Sequence, residues 1–153
     1  MASTYLQRTF GSAGNRRTWT FSAWLKRSGL SARTVIFASA PDGNTENWIS
    51  FESNDKLLIK GAGTGSSWSL DTNRLNRDVS GWYHIVVAFD STQATASNRV
   101  KLYVNGSQVN SFSTAGYPDL NQQERINNNV EHSIGRASSA YPNYFDGSMS
   151  HVH

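Results

Sequence analysis

The sequence predicts an all-β protein whose antiparallel strands form two stacked sheets, a β-sandwich. No helical period persists beyond one turn, and short apolar stretches recur between clusters rich in glycine, asparagine, serine and aspartate, which is typical of sandwiches and barrels. With 153 residues the chain fits one domain, spanning 1–153, with a core of its own. We predict strands near residues 18–27, 34–39, 47–52, 56–60, 82–90, 99–104, 107–113, 131–136 and 145–152.

The first long strand shows the alternation most clearly. Within residues 18–27, Phe21 and Leu25 share one face, whereas Trp24 and Lys26 share the other, because successive side chains of a strand point to opposite sides. The spacing therefore predicts a strand with one apolar face.

The stretch from Trp82 to Asp90 is apolar on both faces. Trp82 and His84 fall on one side, and Tyr83 and Ile85 fall on the other. A strand that is apolar on both sides is normally covered on both sides, so we predict a central strand here. We expect Trp82 to fill the interior of the sandwich and His84 to be a hydrogen-bonded core histidine.

The strongest local signal is a hairpin around Asn105-Gly106. Apolar side chains alternate through residues 99–104, and the Asn-Gly pair suits the positive φ values of a type I′ turn, whose twist matches the flanking strands. We predict that the second arm of this hairpin covers residues 107–113.

Three long polar stretches separate the predicted strands. Residues 61–81, 91–98 and 114–130 exceed the usual length of a hairpin loop. We expect them to form the rims of the sandwich, where loops on a rigid scaffold commonly carry binding residues.

The charge distribution excludes some functions and leaves one question open. The net charge is +3, and residues 1–41 contain basic residues but no acid. Either this segment is a basic edge that faces an anionic glycan, a phosphate-bearing surface or an acidic partner, or it is an ordinary solvated face. No nucleic-acid motif and no apolar run of membrane-spanning length occurs, so we expect neither nucleic-acid binding nor membrane insertion.

Five segments in order resemble one family. TFSAWLKRS, GWYHIVVAFD, VKLYVNG, SIGR and YFDGSM resemble segments of the laminin G-like, concanavalin A-like jelly-roll domains. The segment at residues 5–28 is similar to lectin-like domains of marine bacteriophage virion proteins. The resemblance implies a jelly-roll sandwich, a lectin-like role and a place on a virion.

The two ends of the chain depart from that family. The late Phe-Asp-Gly usually leads into a longer strand with acidic residues, and the family often has a strand before the point where this sequence begins. We therefore expect a domain trimmed at its ends or a fragment of a larger polypeptide, with an unpaired strand edge that another chain could cover.

The pattern of acids argues against an enzyme. Glycosidases of this architecture need two carboxylates across one cleft, and no two of the eleven acids share a strand face two residues apart. A Gly-x-Ser-x-Gly nucleophile turn is also missing from the sequence. We expect no catalysis, with a polysaccharide hydrolase as the least favoured alternative.

Calcium is the cofactor that the resemblance allows, because relatives often bind it at one rim through carboxylates and carbonyls. Asp42, Asp90 and Asp146 lie at predicted junctions of loops and strands and are the candidate ligands. The alternative is that they are ordinary turn aspartates that cap loops.

Aromatic residues in or beside polar segments are the candidates for sugar stacking. Exposed rings stack on sugars, while nearby polar groups bind the hydroxyls. The alternative is that these residues belong to the core or to an interface. The candidates are Trp48, Trp68, Tyr117, Tyr141 and Tyr144.

Two functions follow from the resemblance and the composition. The first is a non-catalytic adhesion module that recognises host-surface glycans on a phage tail fibre, appendage or capsid decoration. The second is a purely structural virion protein that forms a homo-oligomer or docks on other virion proteins. Because the opening residues lack the apolar run of a secretory signal, we expect assembly in the host cytoplasm and a final place on the virion surface.

Overall fold

The computed structural model describes residues 4–39, 46–63, 65–138 and 143–153, and their regular structure is almost entirely β. No helix within these ranges is long and apolar enough to cross a membrane. The strands are β1 Leu6–Thr9, β2 Thr18–Arg27, β3 Thr34–Ser39, β4 Asn47–Phe51, β5 Lys56–Gly61, β6 Trp68–Leu75, β7 Tyr83–Asp90, β8 Val100–Val104, β9 Ser107–Gln108, β10 Phe112–Ala115, β11 Glu131–Ile134 and β12 Gly147–Ser150, with one 3₁₀ turn at Ala96–Asn98.

The strands form two sheets. The seven-stranded sheet has the order β1-β11-β3-β4-β5-β6-β10, and the five-stranded sheet has the order β12-β2-β7-β8-β9. Every strand pair for which a register is defined is antiparallel. The predicted antiparallel β-sandwich is therefore confirmed.

The core lies between the sheets. Phe21 and Leu25 of β2 and Ile85 of β7 are buried against Ile59 and Leu70 of the seven-stranded sheet. Burying a side chain of this size contributes about 1.5 to 3 kcal/mol, so the inward faces of the core strands supply most of the driving force. The alternation predicted for β2 is confirmed.

The first polar stretch that we assigned to a rim contains strand β6. Leu70 and Thr72 are buried, whereas Ser69 and Asp71 are half-exposed. The rim predicted for 61–81 is therefore wrong in this segment, because Ser69 and Asp71 occupy the outward face of a strand whose other face is buried.

The predicted hairpin turn is present, but its second arm is shorter than expected. Asn105 and Gly106 both have positive φ values, 51° and 79°, as a type I′ turn requires. The arm predicted for 107–113 stays with β8 as far as Val109, whose N–H donates to the Leu102 carbonyl, and the chain then crosses to the other sheet, where β10 begins at Phe112 and pairs with β6. The crossing closes one side of the sandwich.

The central position of β7 is confirmed, but its second face is not covered. β7 lies between β2 and β8, with Tyr83 buried and His84 half-exposed. Trp82 is 42% exposed, so the expectation that it fills the interior is wrong, because Tyr83 takes the inward position. His84 is hydrogen-bonded to Ser22, but it lies on the outward face and not in the core.

β1 and β12 are edge strands on the side opposite that crossing. β1 was not predicted, because its four residues are all exposed and do not alternate in polarity. Both edges border an apolar cleft of about 730 Å³ that includes Leu6, Phe145 and Met149. The expected unpaired strand edges are therefore found here, while the trimming of the domain stays a prediction.

Candidate functional site

The outward face of the five-stranded sheet carries aromatic residues that the core does not use. Trp24 of β2 lies opposite His84 of β7, and two residues along β7 Val86 lies opposite Tyr103 of β8. Trp24 is 41% exposed, and Trp82, which precedes β7, is 42% exposed. We call Trp24, Trp82, His84 and Tyr103 the aromatic platform.

Hydrogen bonds and stacking fix the centre of the platform. The Trp24 and His84 rings are stacked, with centroids 4.8 Å apart and planes at 17°. The Ser22 hydroxyl lies 3.0 Å from His84 Nε2, and the His84 backbone N–H donates to Asn105 Oδ1 at 2.7 Å. The hairpin turn and β2 thus hold His84 from two sides, so the platform is pre-organised.

A shallow groove of about 230 Å³ opens between the two exposed indoles. Trp24, Trp82, Ser150 and His151 line it, and the Ser150 hydroxyl lies 2.7 Å from His151 Nδ1. Indole faces offer apolar stacking area, while the hydroxyl and imidazole offer hydrogen bonds at the rim. This combination suits a flat, amphipathic ligand such as a sugar ring.

The same face becomes polar towards the other end of β2. Thr18, Thr20, Asn98 and Lys101 are among the residues lining a second groove, of about 510 Å³. Lys101 lies across Ala88 from Thr20. The face therefore combines an aromatic half and a polar half on one rigid sheet.

Asp90, a predicted calcium ligand, closes its own turn. Its carboxylate accepts hydrogen bonds from the N–H and hydroxyl of Thr92 and from the Gln93 amide. The bonds from the Thr92 hydroxyl and the Gln93 amide, outweighing partial burial, lower the pKa of Asp90. This arrangement is the turn-aspartate alternative.

The candidate calcium ligands do not converge. Asp90 lies opposite Thr18 at the start of β2, whereas Asp146 lies beside Ser28 just after its end, so about 30 Å of strand separates them. Asp42 lies outside the described residues. Among the residues that are described, no three histidines or acids gather as a metal site. Calcium binding stays a prediction.

The two tryptophans predicted to bind sugars are buried. Trp48 is 5% exposed on the outer face of the seven-stranded sheet, where the Lys60 ammonium and the Arg33 guanidinium lie 4.0 Å and 5.5 Å from its ring centroid. Trp68 is 4% exposed and belongs to the core. The expected exposure of both rings is wrong, because neighbouring cations cover one and the sandwich encloses the other.

The predicted tyrosines lie elsewhere. Tyr117 is half-buried against the core, and Tyr144 is half-buried with its ring centroid 6.1 Å from that of Tyr5. Tyr141 lies outside the described residues. None of the described candidates joins the aromatic platform, so their role in sugar binding stays a prediction.

Sequence reasoning missed the platform although part of its signal was visible. Trp24 falls on the polar face of β2 in the alternation, where a large aromatic residue has no structural need. Trp82 was predicted to lie inside because the sequence of a strand that is apolar on both faces does not show which face is buried. The burial pattern shows it: Tyr83 lies inside, and Trp82 and His84 face outward.

One buried acid lies inside the sandwich. Glu124 is 0% exposed, and its carboxylate accepts hydrogen bonds from the Asn47 amide, the Trp68 indole at 2.7 Å and the Gln122 amide at 2.8 Å. Burial raises the pKa of Glu124, and these donors offset part of that effect. Glu124 cannot reach a substrate, so its role is structural.

Glu124 is expected to make the fold less stable as the pH rises. Its pKa is raised in the folded state, so the stability it contributes is complete below its ordinary pKa and is lost as the pH rises through the raised value. Glu124→Gln removes this titration. Urea unfolding between about pH 4 and pH 8 should show the stability advantage of wild type over the variant shrinking as the pH rises. A difference that stays constant, or grows with pH, would contradict the assignment.

The fold is similar to that of several solved structures. A native heptameric SAP-like pentraxin from Limulus polyphemus matches with a TM-score of 0.60 and 15% identity, covering 97% of this chain and 68% of that one. Domain 4 of AbnA, a GH43 extracellular arabinanase from Geobacillus stearothermophilus, in complex with arabinotriose, gives 0.62 and 19%, covering 91% and 60%. The CBM40 of the Ruminococcus gnavus IT-sialidase, bound to α2,3-sialyllactose, gives 0.62 and 12%, covering 100% and 92%.

At these identities the structural matches show the fold alone. No curated protein sequence matches the chain. Residues 2–153, however, match the family model Laminin_G_3, described as the concanavalin A-like lectin/glucanases superfamily. The chain therefore belongs to this family of laminin G-like, concanavalin A-like domains.

Proposed function

We propose that this chain is a non-catalytic carbohydrate-binding module that holds a sugar ring on its aromatic platform. The observation that carries the proposal is the pair of half-exposed indoles, Trp24 and Trp82, that flank one groove with Ser150 and His151 at its rim. Exposed aromatic residues that cluster on a rigid face mark a binding surface.

The chemistry of this face favours binding over hydrolysis. The described outward-facing residues of the five-stranded sheet include one acid, Asp90. Its carboxylate is already hydrogen-bonded to Thr92 and Gln93 of the following turn. A glycosidase needs two carboxylates about 5 to 10 Å apart across the scissile bond. Ser22 and His84 are hydrogen-bonded, but no carboxylate within the described chain orients the imidazole, as a nucleophilic triad requires.

Two of the structural neighbours also support carbohydrate binding. The AbnA domain is in complex with arabinotriose, and the CBM40 is bound to sialyllactose. Both are modules within larger carbohydrate-active proteins, and both have the architecture seen here. A sugar ligand therefore agrees with the family of this chain and with the surface of this chain.

We also propose that the module lies on a virion and binds glycans of the host surface. The similarity of residues 5–28 to lectin-like domains of marine phage virion proteins supports host-surface glycans as the ligand and a virion as the location. The unpaired edges at β1 and β12 support contact with other virion proteins or with further copies of this chain.

Replacing Trp24 or Trp82 with alanine is expected to weaken glycan binding about tenfold or more, because each indole is a large aromatic anchor at the centre of the surface. Both side chains are about two-fifths exposed, so stability should change little. Immobilised plant, algal and bacterial polysaccharides, tested with the purified chain by biolayer interferometry, would measure the effect.

Leu120→Ala is the matched control, because Leu120 is 53% exposed and lies outside the platform. Its binding should equal that of wild type. Wild-type binding that survives Trp24→Ala and Trp82→Ala together would place the site elsewhere. An absence of binding to every polysaccharide would leave the structural virion role as the better explanation.

A further inference from the structure

We propose, building on the proposed function, that the ligand is an extended acidic polysaccharide that lies along the strands of the five-stranded sheet. Lys26 and Lys101 would bind its carboxylate or sulfate groups on either side of the platform.

The two lysines of this face have no ion pair. The described residues form five ion pairs, and these use Arg27, Arg33, Lys60, Arg77 and Arg136. In each pair the acid belongs to the seven-stranded sheet or to a segment that directly precedes or follows β4. The cations of the five-stranded face are thus left available.

Lys26 and Lys101 are half-exposed and point outward. Both alternate with buried neighbours on their strands, so their ammonium groups lie on the solvent side of the sheet. Asp78 is close enough for the Lys26 charge to contribute to its lowered pKa, but hydrogen bonds from Ser80 and Gly81 to Asp78 Oδ1 are the larger cause. Neither lysine is neutralised by a direct partner.

Their spacing requires a ligand longer than one sugar. Lys101 lies level with Thr20, and Thr20 and Lys26 are six residues apart on β2, which corresponds to about 20 Å. Trp24 lies between them, about 7 Å from the level of Lys26. A single sugar stacked on Trp24 cannot contact both ammonium groups, whereas a polysaccharide lying along β2 can.

The order of side chains along β2 and β8 therefore reads cation, aromatic ring, hydroxyl and cation. Between the two lysines the outward positions are occupied by Trp24, Ser22 and Thr20, with Tyr103 beside them. Stacking would hold the sugar backbone, and the separated positive charges would select repeating negative groups. The groove beside Lys101 gives the ligand room to continue.

The test compares two polymers with the same backbone. The probes are polymannuronate and its carboxyl-reduced form, and binding is measured at ionic strengths of about 0.1 M and 1 M, where the screening length is about 10 Å and 3 Å. We expect polymannuronate to bind more tightly at low salt and to lose this advantage at high salt.

Variants then assign the charge effect to residues. Lys26→Met and Lys101→Met keep the aliphatic stem, and each should weaken polymannuronate binding roughly threefold to fivefold without changing binding of the reduced polymer. Lys56→Met is the matched control, because Lys56 lies on the seven-stranded sheet and donates to Ser113. It should leave both affinities unchanged.

Two failures are distinguishable. Equal binding of both polymers, with Trp24→Ala still disruptive and the lysine variants silent, would overturn the acidic ligand and leave the carbohydrate-binding function in place. Binding of neither polymer, nor of any polysaccharide in the wider panel, would overturn the function and this inference together.

Discussion

Replacing Asp55 with asparagine is expected to destabilise the fold by about 3 to 5 kcal/mol, the cost of leaving a buried charge without its partner. Arg27 ends β2 in the five-stranded sheet, and Asp55 lies in the turn before β5 in the seven-stranded sheet. Their side chains are 1% and 2% exposed and are joined at 3.0 Å. The pair therefore ties the two sheets together at one end of the sandwich.

The asparagine substitution removes the charge of residue 55 without straining the backbone there. Asp55 has a φ of 64°, a left-handed conformation that asparagine tolerates well. The Arg27 guanidinium keeps its other contacts, a hydrogen bond to the Asn76 carbonyl and a stack on the Phe51 ring. The loss should therefore report the missing carboxylate and not a strained turn.

Arg77 supplies the matched control. It also donates to Asp55, at 3.0 Å, but its side chain is 59% exposed. Arg77→Met should cost less than about 1 kcal/mol, as exposed ion pairs do. Urea unfolding measures Asp55→Asn, Arg77→Met and the double variant Arg27→Met/Asp55→Asn. The double variant should recover part of the stability that Asp55→Asn loses. Equal costs for Asp55→Asn and Arg77→Met would contradict the buried-pair account.

The same carboxylate gives the fold an acid limit. Burial would raise the pKa of Asp55, but hydrogen bonds from Ser31, Arg77 and Arg27 outweigh it and lower that pKa. Its stabilisation is present above the ordinary pKa of an aspartate and is lost as the pH falls through the lowered value. Glu124 has the opposite sign, so the two acids bound the pH range of greatest stability from opposite sides.

Alternation accounts for the part of the fold that the sequence predicts. β2, β7 and β8 have apolar side chains at every second position, and each strand was found near its observed bounds. β1 has no such signal, because an exposed edge strand buries nothing. β6 was not predicted, because its outward-facing residues are polar and the whole strand lies within the polar stretch 61–81.

The candidate site could be predicted only in part, because it depends on long-range register. The alternation places Trp24 on the polar face of β2, but its proximity to Trp82 and His151 arises from pairing between strands that are distant in sequence. Glu124 resembled other acids of the polar stretches. Its burial depends on Asn47 and Trp68, which approach only when the sandwich closes.

Trp68→Ala is expected to destabilise the fold by about 3 to 5 kcal/mol, as truncation of a buried aromatic residue does. The ring is 4% exposed and stacks on Phe89 with centroids 5.8 Å apart. Its indole N–H also donates to the Glu124 carboxylate at 2.7 Å. Removing the ring leaves both a cavity and a buried carboxylate with one donor fewer.

Trp68→Phe separates these two effects. Phenylalanine keeps most of the ring but has no donor, so the variant should lose about 1 to 3 kcal/mol, the cost of an unsatisfied buried group. Trp24→Phe is the matched control on the platform, where an exposed substitution should stay within about 0.5 kcal/mol. Urea unfolding measures all three variants against wild type.

Polysaccharide binding by the same variants decides between a core role and a ligand role for Trp68. If Trp68 belongs to the core, Trp68→Phe should bind as wild type does under conditions where it remains folded. Trp24→Phe, which reduces the stacking area of the platform, should bind less tightly. A Trp68→Phe variant of wild-type stability with weakened binding would reverse this assignment and return Trp68 to the binding surface.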